Sequence, residues 1–229
     1  MICLAVDTSG AVAGVAVADE SSVLYENTLL CGKNHSLTIM PMIDEALKRL
    51  SLTTGDIGLF VCVVGPGSFT GVRIGVSTVK GLAHGAGKPC AAVSSLETLC
   101  QNAPYFDGIV CPMLDARAGQ VYAAAYKNGR EYLAPAAQRL EDFIAALPTD
   151  GKCLLLGDGA LSLREKAAEL LGERAVFAAP EHSFIRPSAA ARIALLNPER
   201  HTDYMRLEPL YLRLPQAERE RIKRESKAE

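Results

Sequence analysis

The chemistry-bearing stretch of this chain is Gly65-Pro66-Gly67-Ser68-Phe69-Thr70-Gly71-Val72-Arg73. An apolar run, Leu59 to Val64, predicts a buried strand that stops at Gly65-Pro66-Gly67, which reads as a tight turn. From about Thr70, Val72, Val76, Val79 and Leu82 recur at three- or four-residue spacing and predict a helix. A strand, glycine turn and helix start can cradle phosphate, because free N–H groups at a helix N-terminus attract anions. A P-loop also needs Lys followed by Ser or Thr after its last glycine, to reach the phosphates and hold magnesium. Here Gly71 is followed by Val72-Arg73. The glycine spacing is one residue too long for a dinucleotide fingerprint, and the first acid after it is Glu97, late for a ribose contact. Two readings stay open: a purely structural turn, and an anion cradle stripped of its chemistry. Arg73 sits in the first helical turn, where the macrodipole disfavours a cation by roughly 0.3–1 kcal/mol, so an acidic partner is expected for it. Gly71 and Gly75, like Gly81 and Gly85, are four apart. Each costs about 1 kcal/mol relative to alanine inside a helix, a cost tolerated where another backbone comes close.

The elements that position this loop come from an internal repetition. Ile2-Cys3-Leu4-Ala5-Val6-Asp7 is an apolar strand ending in an acid, followed by a Thr-Ser-Gly turn and a second strand, Val12 to Val17. The pattern returns at Ile109 to Asp115, then Ala-Arg-Ala-Gly, then Val121 to Tyr126. Each copy reads as strand, Asp, short turn, antiparallel strand. After the first copy come a helix at about 36–50, the Leu59–Val64 strand and the glycine-started helix. After the second come a helix around 140–147, a strand at 152–156, and Gly157-Asp158-Gly159-Ala160 leading into another helix. The expected fold is α/β: two tandem lobes with mixed sheets flanked by helices, residues 1–104 and 105–215, then a charged tail, 216–229. No low-complexity linker separates the lobes, so they are expected to pack directly.

Composition sets ordinary bounds. Lys plus Arg is 24 against 26 Asp plus Glu, so no global charge advertises nucleic acid or membrane. No charged-then-apolar leader is seen, and no apolar run approaches the roughly 20 residues of a membrane span. The seven cysteines form no Cys-x-x-Cys pair, and Cys3, Cys62, Cys111 and Cys153 lie in apolar runs. A reducing cytoplasm is the expected location.

Five separated strings carry a family resemblance: Val6-Asp7-Thr8-Ser9, Asn34-His35-Ser36 with Pro41-Met42-Ile43, the Gly65–Arg73 loop, Leu114-Asp115-Ala116-Arg117, and Tyr211-Leu212-Arg213. The duplicated strand-Asp-hairpin resembles the actin, sugar-kinase and heat-shock-chaperone superfamily, with its ribonuclease H-like lobes. The strings together resemble the bacterial TsaB (YeaZ) family, from residue 1 to about 215. The resemblance implies a dimerisation subunit of the machinery that installs threonylcarbamoyl on N6 of adenosine 37 in tRNA. It implies a TsaD-like transferase partner, a TsaE-like ATPase, and a homodimer when TsaD is absent, with tRNA met only through the complex.

In the superfamily's ATPases, acids at the two hairpins orient magnesium and water. Asp7 and Asp115 are retained here as a vestigial nucleotide site, but the turns Thr8–Ala11 and Ala116–Gly119 supply no Lys and few glycines. The bland reading is that both acids cap their turns or pair with Arg73, Arg117 or another base. No cofactor is expected on this chain alone, and ATP or ADP only at the assembled complex. TsaD-like relatives hold a metal with two histidines separated by three residues; the corresponding positions here are Ser95 and Leu99, so no metal is expected. His35, His84, His182 and His201 are scattered, and His35 is expected to cap its helix or bond locally. Ser68 and Ser94 lie near loops without a nucleophile-elbow setting, which leaves a peptidase as a weak alternative. An ATPase or kinase of the superfamily is the stronger one.

What remains is surface for a partner. Leu37, Met40, Ile43, Leu47 and Leu50 form one stripe of helix 36–50, widened by Ile39, Met42 and Ala46, with Pro41 expected to kink or start it. The resemblance implies pairing through this helix and helix 71–84, with Met40, Ile43, Leu47, Gly71, Arg73, Ile74, Gly75 and Val76 at the partner interface. The mixed charges of Glu218 to Glu229 read as a solvated end, with a minor tRNA contact as the alternative.

Overall fold

The computed structural model describes residues 1–30, 32 and 34–213 of the 229-residue chain; the charged tail lies outside the described residues. The first lobe runs β1 (Cys3–Asp7), β2 (Val12–Ala18), β3 (Val23–Leu30), α1 (His35–Arg49), β4 (Leu59–Val63), α2 (Phe69–Ala86), β5 (Cys90–Val93) and α3 (Ser95–Cys100). The second runs β6 (Ile109–Arg117), β7 (Gln120–Lys127), β8 (Arg130–Arg139), α4 (Leu140–Ala145), β9 (Cys153–Leu156), α5 (Asp158–Ser162), α6 (Arg164–Leu171) and β10 (Ala175–Phe177). The chain closes with α7 (Pro187–Leu196) and β11 (His201–Thr202).

The two sheets have the same plan. In the first, the antiparallel ribbon β1-β2-β3 is extended by parallel β4 and β5; in the second, β6-β7-β8 is extended by parallel β9 and β10. Central strands β1, β2, β4 and β9 are buried along their whole length, which explains their continuous apolar sequences. This is the mixed-sheet, actin-like two-lobe architecture expected from the duplicated hairpin.

One boundary needs correcting. Residues beyond about 185 do not belong to the second lobe: α7 packs on β1, β2 and β4, and β11 pairs with β5 at the edge of the first sheet. Small residues make this possible. Ala190, Ala191 and Ala194 let α7 lie close to the strands, and a methyl at Gly14 would come within 2.5 Å of Pro187 Cγ. The first lobe therefore consists of residues 1 to about 104 plus the returning segment. Helices α3 and α7 share one buried cluster with Leu114, Tyr126 and Leu156 of the second lobe, so the lobes are fused through a common core. A separate core lies under α1 and α2, built on Leu4, Val15 and Phe60.

Helix α1 continues through Pro41, and its inward stripe is Ile39, Met42, Ile43, Ala46 and Leu47. Burying such a side chain contributes about 1.5–3 kcal/mol. Helix α2 begins at the N-cap Ser68, whose hydroxyl accepts from the Gly71 amide, and ends at Gly87 in the left-handed conformation (φ 62°) that closes helices without a Cβ penalty.

Candidate functional site

The first hairpin turn is sealed. Asp7 is 1% exposed; its Oδ1 accepts from the Ser9 amide (2.9 Å) and the Ser9 hydroxyl (2.7 Å). The glycine loop closes over this turn: the Ser68 amide donates to Ser9 O at 2.7 Å, and Thr8 Oγ1 donates to Gly71 O at 2.7 Å. A methyl at Gly67 would collide with the Ser9 carbonyl, one at Gly71 with the Thr8 carbonyl, and one at Gly75 would come within 2.6 Å of Thr8 Oγ1. The close backbone approach expected from the glycine spacing is thus internal. It joins α2 to the β1–β2 turn, and it removes Gly71 and Gly75 from the surface where a partner interface was expected. A methyl at Gly81 or Gly85 would meet nothing within 4 Å, so close approach does not explain those two glycines.

These residues do not fit a nucleotide and its magnesium. The first hairpin turn, where the resemblance implies a phosphate site, is covered by the chain's own loop. Burial pushes the Asp7 carboxyl up to about 6, opposed by its bonds from Ser9 and Thr8. The second acid, Asp115, is exposed, and its Oδ1 accepts from the Arg117 amide at 2.7 Å. Both carboxylates therefore cap their own turns, and neither pairs with a base among the described residues. Asp158, whose carboxyl is raised by burial, accepts from the Asp115 amide at 3.0 Å. At the two positions where the resemblance implies histidines, Ser95 donates to Ser9 Oγ at 3.0 Å and Leu99 is buried in the inter-lobe core. Neither offers a metal a ligand, and no group of three His, Cys, Asp or Glu side chains suits one among the described residues.

The five sequence strings converge in space. His35 bonds through Nε2 to Gly10 O at 2.9 Å, a contact 25 residues away that ties α1 to the first turn. Tyr211 stacks on Phe69 with ring centroids 5.1 Å apart, while Arg213 donates to Ala116 O at 2.9 Å in the second hairpin turn. Arg73 has no acidic partner among the described residues, contrary to expectation. Its Nε donates to Tyr211 OH at 2.8 Å and its guanidinium lies 3.9 Å from the Phe69 ring centroid. Stacking on an aromatic face offsets the cost of a cation at a helix start.

Between α1 and α2 an open groove of about 480 Å³ is lined by Ser36, Met40, Phe69, Thr70, Arg73 and Ile74, among others. Of the expected interface residues, Met40, Arg73 and Ile74 border it. Ile43, Leu47 and Val76 are buried in the chain's own core and are removed from the surface. Helical phase explains the difference: the Ile39-Met42-Ile43-Ala46 face packs inward, Met40 lies on its flank at the groove, and Leu37, which is 76% exposed, points away.

The family described as "TsaD: tRNA N6-adenosine threonylcarbamoyltransferase" matches residues 29–152. The chain is 38% identical over 224 residues to the tRNA threonylcarbamoyladenosine biosynthesis protein TsaB of Bacillus subtilis (strain 168), covering 95% of this chain and 96% of that protein. The chain belongs to the TsaB (YeaZ) family. YeaZ from Pseudomonas aeruginosa superposes with a TM-score of 0.76 at 27% identity, over 92% of this chain and 99% of that one. The ROK hexokinase of Thermus thermophilus, at 12% identity and a TM-score of 0.51 over 87% of this chain and 99% of that one, shares the fold alone.

Within this TsaB-family frame, Phe69 and Tyr211 join Leu37, already on the apolar stripe read from sequence, on the exposed side, although sequence alone did not name them there. Phe69 and Tyr211 stood in the strings that carried the resemblance. An aromatic half-exposed at a helix start, next to an arginine at i+4, was the signal. The remaining candidate groups are structural. Ser68 Oγ caps α2, Ser94 Oγ has no hydrogen-bond partner among the described residues, and His201 bonds to Ala194 O at 3.0 Å. A nucleophilic serine needs a base within hydrogen-bond reach, so these positions give no support to the peptidase alternative.

Proposed function

We propose that this chain is a non-catalytic scaffold subunit in tRNA threonylcarbamoyladenosine biosynthesis. It docks a TsaD-type transferase on the exposed side of α1 and α2, self-associates when TsaD is absent, and with TsaD presents a surface to a TsaE-type ATPase. tRNA is met only by the assembled complex, in the cytoplasm; no helix among the described residues is long and apolar enough to cross a membrane. The observation that carries the non-catalytic reading is the first hairpin turn, whose carboxylate is buried and hydrogen-bonded where a working ATPase needs it open to magnesium. Docking acts by favouring one conformation of the partner, with no bond made on this chain. ATP or ADP enters, if at all, at the assembled interface.

The test separates the two sides of α1 and α2. Ile74→Glu and Met40→Glu, on the groove, abolish co-migration with TsaD while unfolding stays cooperative. Ile43→Glu buries a charge in the core and destabilises the fold by roughly 3 kcal/mol or more. Unchanged TsaD binding by both groove variants, measured by analytical ultracentrifugation, contradicts the proposal.

A further inference from the structure

We propose that Arg73 selects the hetero-partner over a second copy of this chain, by receiving a carboxylate that the partner supplies and this chain's own groove lacks. The proposal rests on the reading of α1 and α2 as the docking face. Arg73 is held ready for such a contact. Its guanidinium is stacked on Phe69 at 3.9 Å, and Nε is fixed by Tyr211 OH at 2.8 Å. Neither terminal nitrogen, Nη1 nor Nη2, has a hydrogen-bond partner among the described residues. A planar guanidinium pinned through its ring stack and Nε leaves its two-pronged edge free, the geometry that takes a carboxylate bidentately.

Among the described residues the groove offers no counter-charge. Apart from Arg73 its lining is apolar or hydroxyl-bearing. The carboxylates of α1 are engaged elsewhere: Lys48 Nζ lies 2.6 Å from Asp44 Oδ2, and Arg49 Nε lies 2.8 Å from Glu45 Oε1. A second copy presenting this same face would desolvate Arg73 without compensation. A partner presenting an apolar ridge with one Asp or Glu would fill the groove and satisfy the cation. Specificity of this kind arises as much from the uncompensated charge in the wrong pair as from the contact in the right one.

The experiment measures two dissociation constants on the full chain across a salt series: with the organism's own TsaD, and for self-association. Arg73→Gln should weaken the TsaD complex at least tenfold and flatten its salt dependence, while self-association is unchanged or tightened. Arg73→Lys, which keeps the charge but loses the fork and the stack, should fall between. Arg73→Glu should be rescued by one Asp→Arg or Glu→Arg change on TsaD. Equal weakening of both associations by Arg73→Gln, or of neither, overturns the proposal while leaving docking intact. So does a TsaD affinity raised by Glu218→Gln with Glu220→Gln, which would place the counter-charge on this chain's own tail. Ile74→Glu without effect on TsaD binding would instead remove the docking reading itself.

Discussion

The two hairpin turns share a plan and differ in what covers them. Thr8 and Ser9 in the first are buried under the glycine loop and the start of α2, whereas Asp115 and Arg117 in the second face solvent. The second turn carries Arg117 and Ala118 at φ 64° and 53°, two left-handed positions held by non-glycine residues. The first has no left-handed residue, and its backbone is held from outside by Gly67, Ser68 and Gly71. Here one anchors the start of α2, so the same supersecondary unit serves as a buried joint in one lobe and a surface turn in the other.

That contrast is sharpest at the glycines. Gly71→Ala drives a methyl into the Thr8 carbonyl and should cost about 3 kcal/mol or more in urea unfolding. A loss under about 1 kcal/mol would mean the joint is loose.

Asp7→Asn tests the seal by pH. Burial raises Asp7 from 3.8 to about 6, so the folded state holds its proton more tightly than the unfolded state. The wild type should therefore lose stability relative to Asp7→Asn as pH climbs from about 4 to 6, by on the order of 2–3 kcal/mol, with the full penalty present above that window. A pH-independent difference in Tm between the two proteins would place Asp7 in contact with water.

Smaller effects mark the open regions. Gly81→Ala, exposed in the same helix with nothing within 4 Å, should gain about 0.5–1 kcal/mol from helix propensity alone. Asp115→Ala loses only an exposed turn bond to the Arg117 amide and should cost less than about 1 kcal/mol by the same unfolding measurement.

Much of the fold was legible because its central strands are buried on both faces. The runs at Cys3–Asp7, Leu59–Val63 and Cys153–Leu156 need no context to read as strands. Strands β3 and β8 were not legible. They are sheet edges, with Glu26-Asn27-Thr28 in the middle of one and Pro135 in the other, where local pattern is weak. The return of α7 to the first lobe was also hidden, since an alanine-rich helix does not announce which sheet it will lie on. At the site, the spacing of Gly71 and Gly75 correctly demanded close approach but could not say to what. The helix dipole pointed to an acidic partner for Arg73 and was wrong in kind: the structure supplies an aromatic face and a phenol instead. Apolar periodicity placed α1 well; it could not divide Met40 from Ile43, because both sides of the helix are apolar.

The most direct test of the scaffold account is reconstituted threonylcarbamoylation of unmodified tRNA by this chain with its TsaD and TsaE. The account predicts near wild-type activity for the double variant Asp7→Asn with Asp115→Ala, and loss of activity for Ile74→Glu. A folded double variant that still forms the complex but is inactive would make the hairpin acids a working nucleotide site and contradict the account.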